Sequence, residues 1–556
     1  MTTSPSEASG TLQHQASGAS SADNDPSIPI RGPEHISYEE GPWAHKTILS
    51  FGENTLLLVE TFINNPMLDG GGIRGYSSLL VLKRIMIRIQ ELERGHEEYR
   101  APSSDFYRWK GAPEENIVED NPDPDRVDKY LPCHYFDYVA GTSTGGLSSI
   151  MLGRLRMSVD QALDTYKSFG NDIFGKPRLF HERSYCYYPR AKFSSRKTHE
   201  AFQEIIYKVL QQEKACFRSE AEVEPLKYRE DRTKTIVISW AIKKDGGVSK
   251  EFVWRSYDNE TSPNEPNLPK TDHWSPSNPG PAHTTAIWEV ARATTAAPGY
   301  FESIKIIGRK FFDGGMAANN PSLTAVREIH NLHQLVPDLF VSIGTGLKPH
   351  SDDENNAVLS EANGRTRTPR RETIKDGGRR KQFGKKWWEI GKYWKNWMVD
   401  TEGPHGTNGW RDRCNTIKLK DAYRLNVEGD LHTIPLDDWR PSKTGEDTFS
   451  FIEAQTRQYL ADSNVNDCIN SIASKAVEIR RRRAATEQWE RFAVDVIYCC
   501  KRNCTNKKYD TRAQLREHLQ KGIAHRGDRI SDGKQLEEEL NASRSLKPKR
   551  PVEIRR

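Results

Sequence analysis

The stretch Tyr135-Phe136-Asp137-Tyr138-Val139-Ala140 runs into Gly141-Thr142-Ser143-Thr144-Gly145. No other feature of the chain constrains its fold as tightly. The mostly apolar hexamer reads as a short buried strand. From Leu147 to Leu155 apolar residues return, reading as a helix. A strand that reverses through a glycine-flanked turn into a helix is an α/β unit. A serine at the apex of that turn has the pattern of a nucleophile elbow.

The same alternation extends along the chain. Thr235–Ala241 and Leu339–Ile343 read as further strands, and Phe311-Phe312 leads into Asp313-Gly314-Gly315. In Ser77–Arg94, Leu79, Leu82, Ile85, Met86 and Ile89 recur at helical spacing, and Ile287–Ala297 reads as a helix that stops at Pro298-Gly299. The Ser77–Arg94 helix is preceded by Asp69-Gly70-Gly71-Gly72-Ile73-Arg74-Gly75. Upstream of that loop the strand expected from apolar content is Leu56–Val59, or Leu56–Phe62, with Pro66 intervening. Strands alternating with helices argue for an α/β sheet with covering helices.

Three motifs carry chemistry. A serine hydroxyl is a poor nucleophile without a base. An aspartate in water has a pKa of about 3.9 and gains basicity where burial disfavours its charge. Ser143 is therefore read as nucleophile and Asp313 as proton acceptor. The side-chain-free loop Gly70, Gly71 and Gly72 offers backbone N–H groups to an oxyanion, and Arg74 either orients that loop or attracts an anionic head group. Taken together, the motifs imply an acyl hydrolase with a Ser–Asp pair. Gly70-x-Gly72-x-x-Gly75 also imitates a dinucleotide fingerprint. That reading needs a second strand ending in an acidic residue about 20 positions on, whereas Glu91 and Glu93 continue a helix. The P-loop reading fails because no Gly-Lys-Ser/Thr follows.

In their order, Asp-Gly-Gly-Gly-Ile-Arg-Gly, Gly-Thr-Ser-Thr-Gly-Gly, Ala-Ala-Pro-Gly-Tyr-Phe at 296–301 and Asp-Gly-Gly at 313–315 resemble the patatin-like phospholipase family. The resemblance spans roughly residues 50 to 480. The wording around Leu152-Gly153-Arg154-Leu155 is most similar to fungal members. It implies a three-layer α/β/α fold around a mostly parallel sheet, a Ser–Asp dyad without histidine, and metal-independent hydrolysis of acyl esters of phospholipids or neutral lipids. By motif match, Ser143 and Asp313 take the dyad roles; Gly70, Gly71, Gly72 and Arg74 match the oxyanion loop, and Asn319-Asn320-Pro321 the turn after the aspartate. The chain departs from the pattern where residues 60–67 separate the expected strand from the glycine loop. That insert supports a second reading, a catalytically weak or inactive lipid-sensing protein with a zinc-binding interaction tail.

Of the 556 residues, 35% are hydrophobic and 29% charged, which is polar for a globular chain, and the net charge of +5 points to no nucleic-acid partner. No apolar run reaches the length of a membrane span, and the N-terminus lacks the pattern of a secretory signal. Eight scattered cysteines fit a reducing compartment. The expected location is intracellular, in the cytoplasm with peripheral membrane contact, the nucleus remaining open. Phe383, Trp387, Ile390, Trp394 and Trp397 share one helical face with lysines between them. Such a face either lies on a membrane surface or packs onto the core.

The expected organisation is a disordered tail over 1–45, the hydrolase domain over 46–485 with a disordered insertion at 348–380, a zinc-finger-like segment over 495–530 and a basic tail over 531–556. In the finger-like segment Cys500, Cys504, His518 and His525 are the candidate ligands of a structural zinc. Tyr509 and Leu515 stand where a two-Cys two-His finger keeps its small core. The gap of six residues between the histidines exceeds the usual three to five. The alternative is a pair of ordinary thiols, Cys499 and Cys500, beside exposed histidines. A single finger reads about three base pairs, which argues against sequence-specific DNA binding.

Overall fold

A computed structural model describes residues 41–52, 71–95, 127–178, 191–213, 217–242, 250–259, 277–316, 320–333, 335–346, 407–439, 447–493, 496–502, 508–522, 525–527, 529–530 and 533–546. Its central sheet has eight strands: β1 (Thr47–Phe51), β2 (Tyr138–Thr142), β3 (Lys234–Ile242), β4 (Lys250–Arg255), β5 (Ile304–Ile306), β6 (Arg309–Asp313), β7 (Leu339–Ile343) and β8 (Ala422–Leu425). The order is β5-β6-β3-β2-β1-β7-β8, with β4 also paired to β3. Pairings from β3 through β2, β1 and β7 to β8 are parallel, while β4, β5 and β6 join antiparallel.

Both faces of the sheet are covered, and the period of two along each strand shows it. Leu49, Val139, Val237 and Val341 enter one apolar core, with α1 (Gly75–Arg94), α2 (Thr144–Ser149), α3 (Val159–Ile173), α4 (Ser195–Glu213) and α5 (Ile287–Thr294). Their neighbours Ile48, Tyr138, Ile236 and Phe340 enter a second core on the other face, where α6 (Ser322–His333) packs through Ala325, Val326 and Ile329. The three-layer α/β/α arrangement is the one expected. The first core is closed by α7 (Thr448–Leu460) and α8 (Ser463–Ala484) against α1.

The strand beside β2 was not among those expected. It is Thr47–Phe51, which the sequence reading passed over, and it pairs with β2 on one side and β7 on the other. Apolar content misled the expectation because this central strand buries two hydroxyls. Thr47 Oγ1 donates to the Tyr135 carbonyl at 2.8 Å, and Ser50 Oγ lies 2.7 Å from Ser322 Oγ. Satisfied in this way, a polar residue sits in a sheet centre at little cost. Leu56–Phe62 and Pro66 lie outside the described residues.

Residues after 484 continue as α9 (Gln488–Ala493), then β9 (Val496–Cys499), β10 (Lys508–Tyr509), α10 (Arg512–Lys521), α11 (Gly533–Ala542) and β11 (Arg544–Leu546). The strands form a second, antiparallel sheet of order β10-β9-β11. Its core is continuous with Trp43, Ala484, Trp489 and Phe492. Trp43, inside the stretch expected to be a tail, is 6% exposed and meets Phe492 edge to face at 5.2 Å. Phe383–Trp397 and the 348–380 stretch lie outside the described residues.

Candidate active site

Strand register brings Ser143 and Asp313 together. β2 pairs with β3 as far as Thr142↔Ile238. The next residue of β3, Ser239, pairs with Asp313 of β6, which arrives antiparallel. β6 therefore takes over the edge of β3 where β2 leaves it, and the residue after β2 faces the last residue of β6. Ser143 Oγ donates to Asp313 Oδ2 at 2.8 Å. The two side chains are 3% and 6% exposed.

Ser143 has φ 53° and ψ −123°, a conformation that L residues avoid. Such a backbone costs on the order of 1–3 kcal/mol and persists only where neighbours over-determine it. Its N–H donates to Thr294 Oγ1 at 2.9 Å, and that hydroxyl donates to the Ile238 carbonyl at 2.7 Å. Its carbonyl accepts from Leu147 N–H at 3.2 Å as the helix begins. The turn closes so tightly that a Cβ at Gly141 would lie 2.0 Å from the Gly145 carbonyl oxygen, so no other residue fits there. After Ser149 the helix widens into a π turn over Ile150–Arg154.

Asp313 is fixed as firmly. Its Oδ1 accepts from Gly315 N–H at 2.8 Å, which leaves Oδ2 to the serine. Its own N–H donates to the Ala296 carbonyl at 3.1 Å, so the Ala296–Phe301 motif acts as the shelf on which the aspartate strand rests. Of Asn319-Asn320-Pro321, Asn319 lies outside the described residues. Asn320 is buried, its Oδ1 accepting from Ser322 N–H at 3.0 Å.

Gly71 and Gly72 are buried at the start of the turn that leads into α1; Gly70 lies outside the described residues. Gly72 has φ 43°, and a Cβ there would strike the Leu436 carbonyl oxygen at 2.0 Å. The Gly72 carbonyl accepts from Tyr166 Oη. Ile73 N–H donates to the Leu436 carbonyl and Arg74 N–H to the Gly71 carbonyl, both at 2.8 Å. The candidate oxyanion donors among the described residues are thus the Gly71 and Gly72 amides. Arg74 is 1% exposed, and its guanidinium reaches the Leu431 carbonyl at 3.4 Å. Of its two expected roles, that placement fits anchoring the loop. Thr294 and Tyr166 escaped the sequence reading, and the support that Ala296 gives Asp313 was not read from its motif. Only the hydroxyl of Thr294, one turn before Pro298-Gly299, offered a signal.

An apolar cavity of about 30 Å³ adjoins these elements, walled by Leu147, Met151, Tyr166, Phe169, Phe202 and Ile287. Leu147 is one turn past Ser143, and Tyr166 is the residue that holds Gly72.

The C-terminal candidates also converge. Cys500 follows β9, His518 lies on α10 and His525 just beyond it. Cys500 Sγ is 3.6 Å from His525 Nε2, which is 3.1 Å from His518 Nε2. Cys504 lies outside the described residues. Leu515 is fully buried, and Tyr509 stands against the His518 ring with centroids 5.0 Å apart.

A family model described as patatin-like phospholipase matches residues 67–326, a stretch that includes Ser143 and Asp313. Calcium-independent phospholipase A2-gamma of Oryctolagus cuniculus is 28% identical over 231 residues, covering 41% of this chain and 26% of that protein. Phospholipase A I of Arabidopsis thaliana is 23% identical over 313 residues, covering 51% of this chain and 20% of that protein. The chain thus spans about a quarter or less of the length of these curated relatives. VipD from Legionella pneumophila aligns with a TM-score of 0.26 and 10% identity over 78% of this chain and 67% of that one, too distant to bear on the fold.

Proposed function

We propose that this chain, whose residues 67–326 match the patatin-like phospholipase family model, is a lipid acyl hydrolase that cleaves carboxylic esters of phospholipids or neutral lipids through an acyl-Ser143 intermediate. The observation that carries this reading is the 2.8 Å hydrogen bond between two buried side chains, Ser143 and Asp313, at a strained turn.

In the first step Ser143 Oγ bonds to the ester carbonyl carbon while its proton passes to Asp313 Oδ2. The carbonyl oxygen becomes an oxyanion facing the Gly71 and Gly72 amides, with Gly70 completing the loop and Arg74 holding it. Collapse of the tetrahedral centre breaks the bond to the alcohol, which leaves with the proton from Asp313. Water then attacks the acyl-serine, again giving its proton to Asp313, and the carboxylic acid departs as Ser143 regains its proton. The apolar cavity beside Leu147 and Tyr166 suits the start of an acyl chain. Metal has no role in this scheme. A structural zinc held by the C-terminal cysteine and histidines is a separate proposal.

The substrate places the protein at a lipid surface. No helix among the described residues is long and apolar enough to cross a membrane. The proposed location is intracellular, with peripheral contact to membranes. Labelling by a fluorophosphonate tests the assignment. We expect the wild-type chain to label and to release fatty acid from phosphatidylcholine vesicles, and Ser143→Ala to do neither. Labelling that persists in Ser143→Ala refutes the nucleophile, and a wild-type chain that never labels favours the non-catalytic, lipid-sensing alternative.

A further inference from the structure

The distances among Cys500, His518 and His525 fit a metal better than a hydrogen-bonded cluster. A tetrahedral zinc about 2.3 Å from sulfur and about 2.0–2.1 Å from nitrogen holds S and N about 3.6 Å apart and two nitrogens about 3.3 Å apart. The observed separations are 3.6 and 3.1 Å. All three donor atoms lie within 4.8 Å of one another, with Cys500 and His525 buried and His518 partly so. The donors come from both halves of a ββα unit, the strand end of β9 and the helix α10, so an ion there ties the two together.

Nucleic acid does not fit this unit. The positions of a finger helix that meet bases are −1, 3 and 6, here Thr511, Gln514 and Glu517. Thr511 Oγ1 is taken by Gln514 N–H at 3.1 Å, and Glu517 is acidic. The cations that would meet phosphates are turned elsewhere: Arg512 is 2% exposed and bonds Glu537 at 2.7 Å, while Arg516 is shared between Glu487 and Glu537. With its arginines committed to carboxylates of its own chain, the helix has little charge left to release counterions.

What the unit does hold is the hydrolase. Cys500 belongs to the same apolar core as Trp43, Trp489 and Phe492. At the end of α9 the Phe492 carbonyl accepts from Arg232 at 2.8 Å and from Arg156 at 3.1 Å, and the Ala493 carbonyl accepts from Arg156 at 2.6 Å. Cations at a helix C-terminus are favourable partners of its last carbonyls. Arg232 precedes β3, so this contact falls at the amino edge of the central sheet, the end opposite Ser143. Arg483, at the end of α8, bonds Asp137 just ahead of β2 at 2.7 Å and lies 5.1 Å from the Trp43 ring centroid.

We propose that Cys500, His518 and His525 bind a structural zinc ion, and that this ion locks the C-terminal sheet and helices as a brace on the amino edge of the hydrolase sheet instead of presenting a helix to nucleic acid.

Metal analysis of the full-length chain is expected to find one zinc per chain. Cobalt exchange is expected to give a thiolate-to-metal charge-transfer band. Both should be lost in Cys500→Ser and in His525→Ala, and kept in His518→Cys, which swaps one zinc ligand for another. Hydrogen exchange compares the zinc-loaded chain with the same chain after chelation. Exchange should rise at least about tenfold within residues 496–521 and also in β1 and at Asp137–Val139. A wild-type chain without metal that takes up no cobalt overturns the site. A metal-bound chain whose β1 and β2 exchange is indifferent to chelation overturns the brace. Metal-dependent binding of duplex DNA tighter than about 1 μM at physiological salt overturns the exclusion of nucleic acid. If the ligand variants do not fold, the wild-type metal content and cobalt spectrum decide alone. Fluorophosphonate labelling reports on Ser143 independently of each of these outcomes.

Discussion

At the carboxyl end of β2 the chain tolerates strain. Ser143 stands at φ 53°, its N–H donating to Thr294 Oγ1 and its hydroxyl to Asp313 Oδ2. At the amino end of the same strand Asp137 is held redundantly. Its Oδ2 accepts from Thr47 N–H at 2.8 Å, Thr47 Oγ1 at 3.1 Å and Arg483 at 2.7 Å. Burial pushes the Asp137 carboxyl up, but Arg483, Lys46 and the Thr47 amide outweigh it and hold the group below the usual carboxylate range. One end of the strand keeps the proposed nucleophile in an unfavourable conformation, and the other fixes the frame against which that strain is held. Chemistry and stability should therefore separate by mutation.

The largest break is expected at the strained end. Ser143→Ala should lower hydrolysis by a factor on the order of 10⁴ or more, because groups that act as one unit fail together. Asp313→Asn should fall nearly as far, measured as fatty-acid release under identical conditions. Neither removes a core side chain, so their melting temperatures should stay close to wild type. At the other end Arg483→Met should do the reverse. It leaves the buried Asp137 carboxylate without its cation, a loss of about 3–5 kcal/mol measurable by urea unfolding. The folded fraction should keep its kcat/KM. A large kcat loss in Arg483→Met would show that the two ends are not separable.

The strained end was the more legible of the two. Glycines around Ser143 and after Asp313 announce turns, because only backbone without Cβ passes so close to its neighbours, as at Gly141. β7 was read to its bounds, since Leu339–Ile343 is buried throughout and apolar apart from Ser342. β1 was missed because Thr47 and Ser50 are as buried as its leucine, and their partners Tyr135 and Ser322 lie far along the chain. The same holds for the amino end of β2. Nothing in the sequence around Asp137 points to Arg483, nor around Arg156 to Ala493, because those pairings exist only once the C-terminal segment has folded back. Local motifs carry the chemistry; long-range polar pairs carry the support.

A smaller effect sharpens the comparison at the strained end. Thr294→Val removes the acceptor of Ser143 N–H and the donor to Ile238 while nearly preserving shape. Two buried groups lose a partner, which costs about 1–3 kcal/mol for each one left unpaired. Activity should drop about tenfold, a loss in kcat rather than KM, because the elbow loosens without altering the apolar cavity proposed to take the acyl chain. Loss of stability with unchanged kcat would mean that Asp313 alone holds the serine in place.

The smallest expected effect lies at the supported end and depends on pH. His134 stands 3.1 Å from the Ala493 carbonyl and packs edge to face on Trp489. Burial holds its imidazole well below the usual histidine range, and the charges of Arg156, Arg480 and Arg232 push in the same direction. The folded chain therefore keeps His134 neutral where the unfolded chain would take up a proton. Its contribution to stability is complete above about pH 6.5, the unfolded value, and declines as the pH falls below it. By pH 5.5 the loss is about 1.4 kcal/mol, since each pH unit below the unfolded value shifts the balance by that amount. Other histidines titrate in the same range, so the check is a difference. Urea unfolding of wild type and His134→Gln between pH 5.5 and 7.5 should give curves whose gap narrows on the acid side. A constant gap would mean that the imidazole takes up its proton in the fold at the same pH as in the unfolded chain, so that the arginines around the Ala493 carbonyl accommodate a further positive charge.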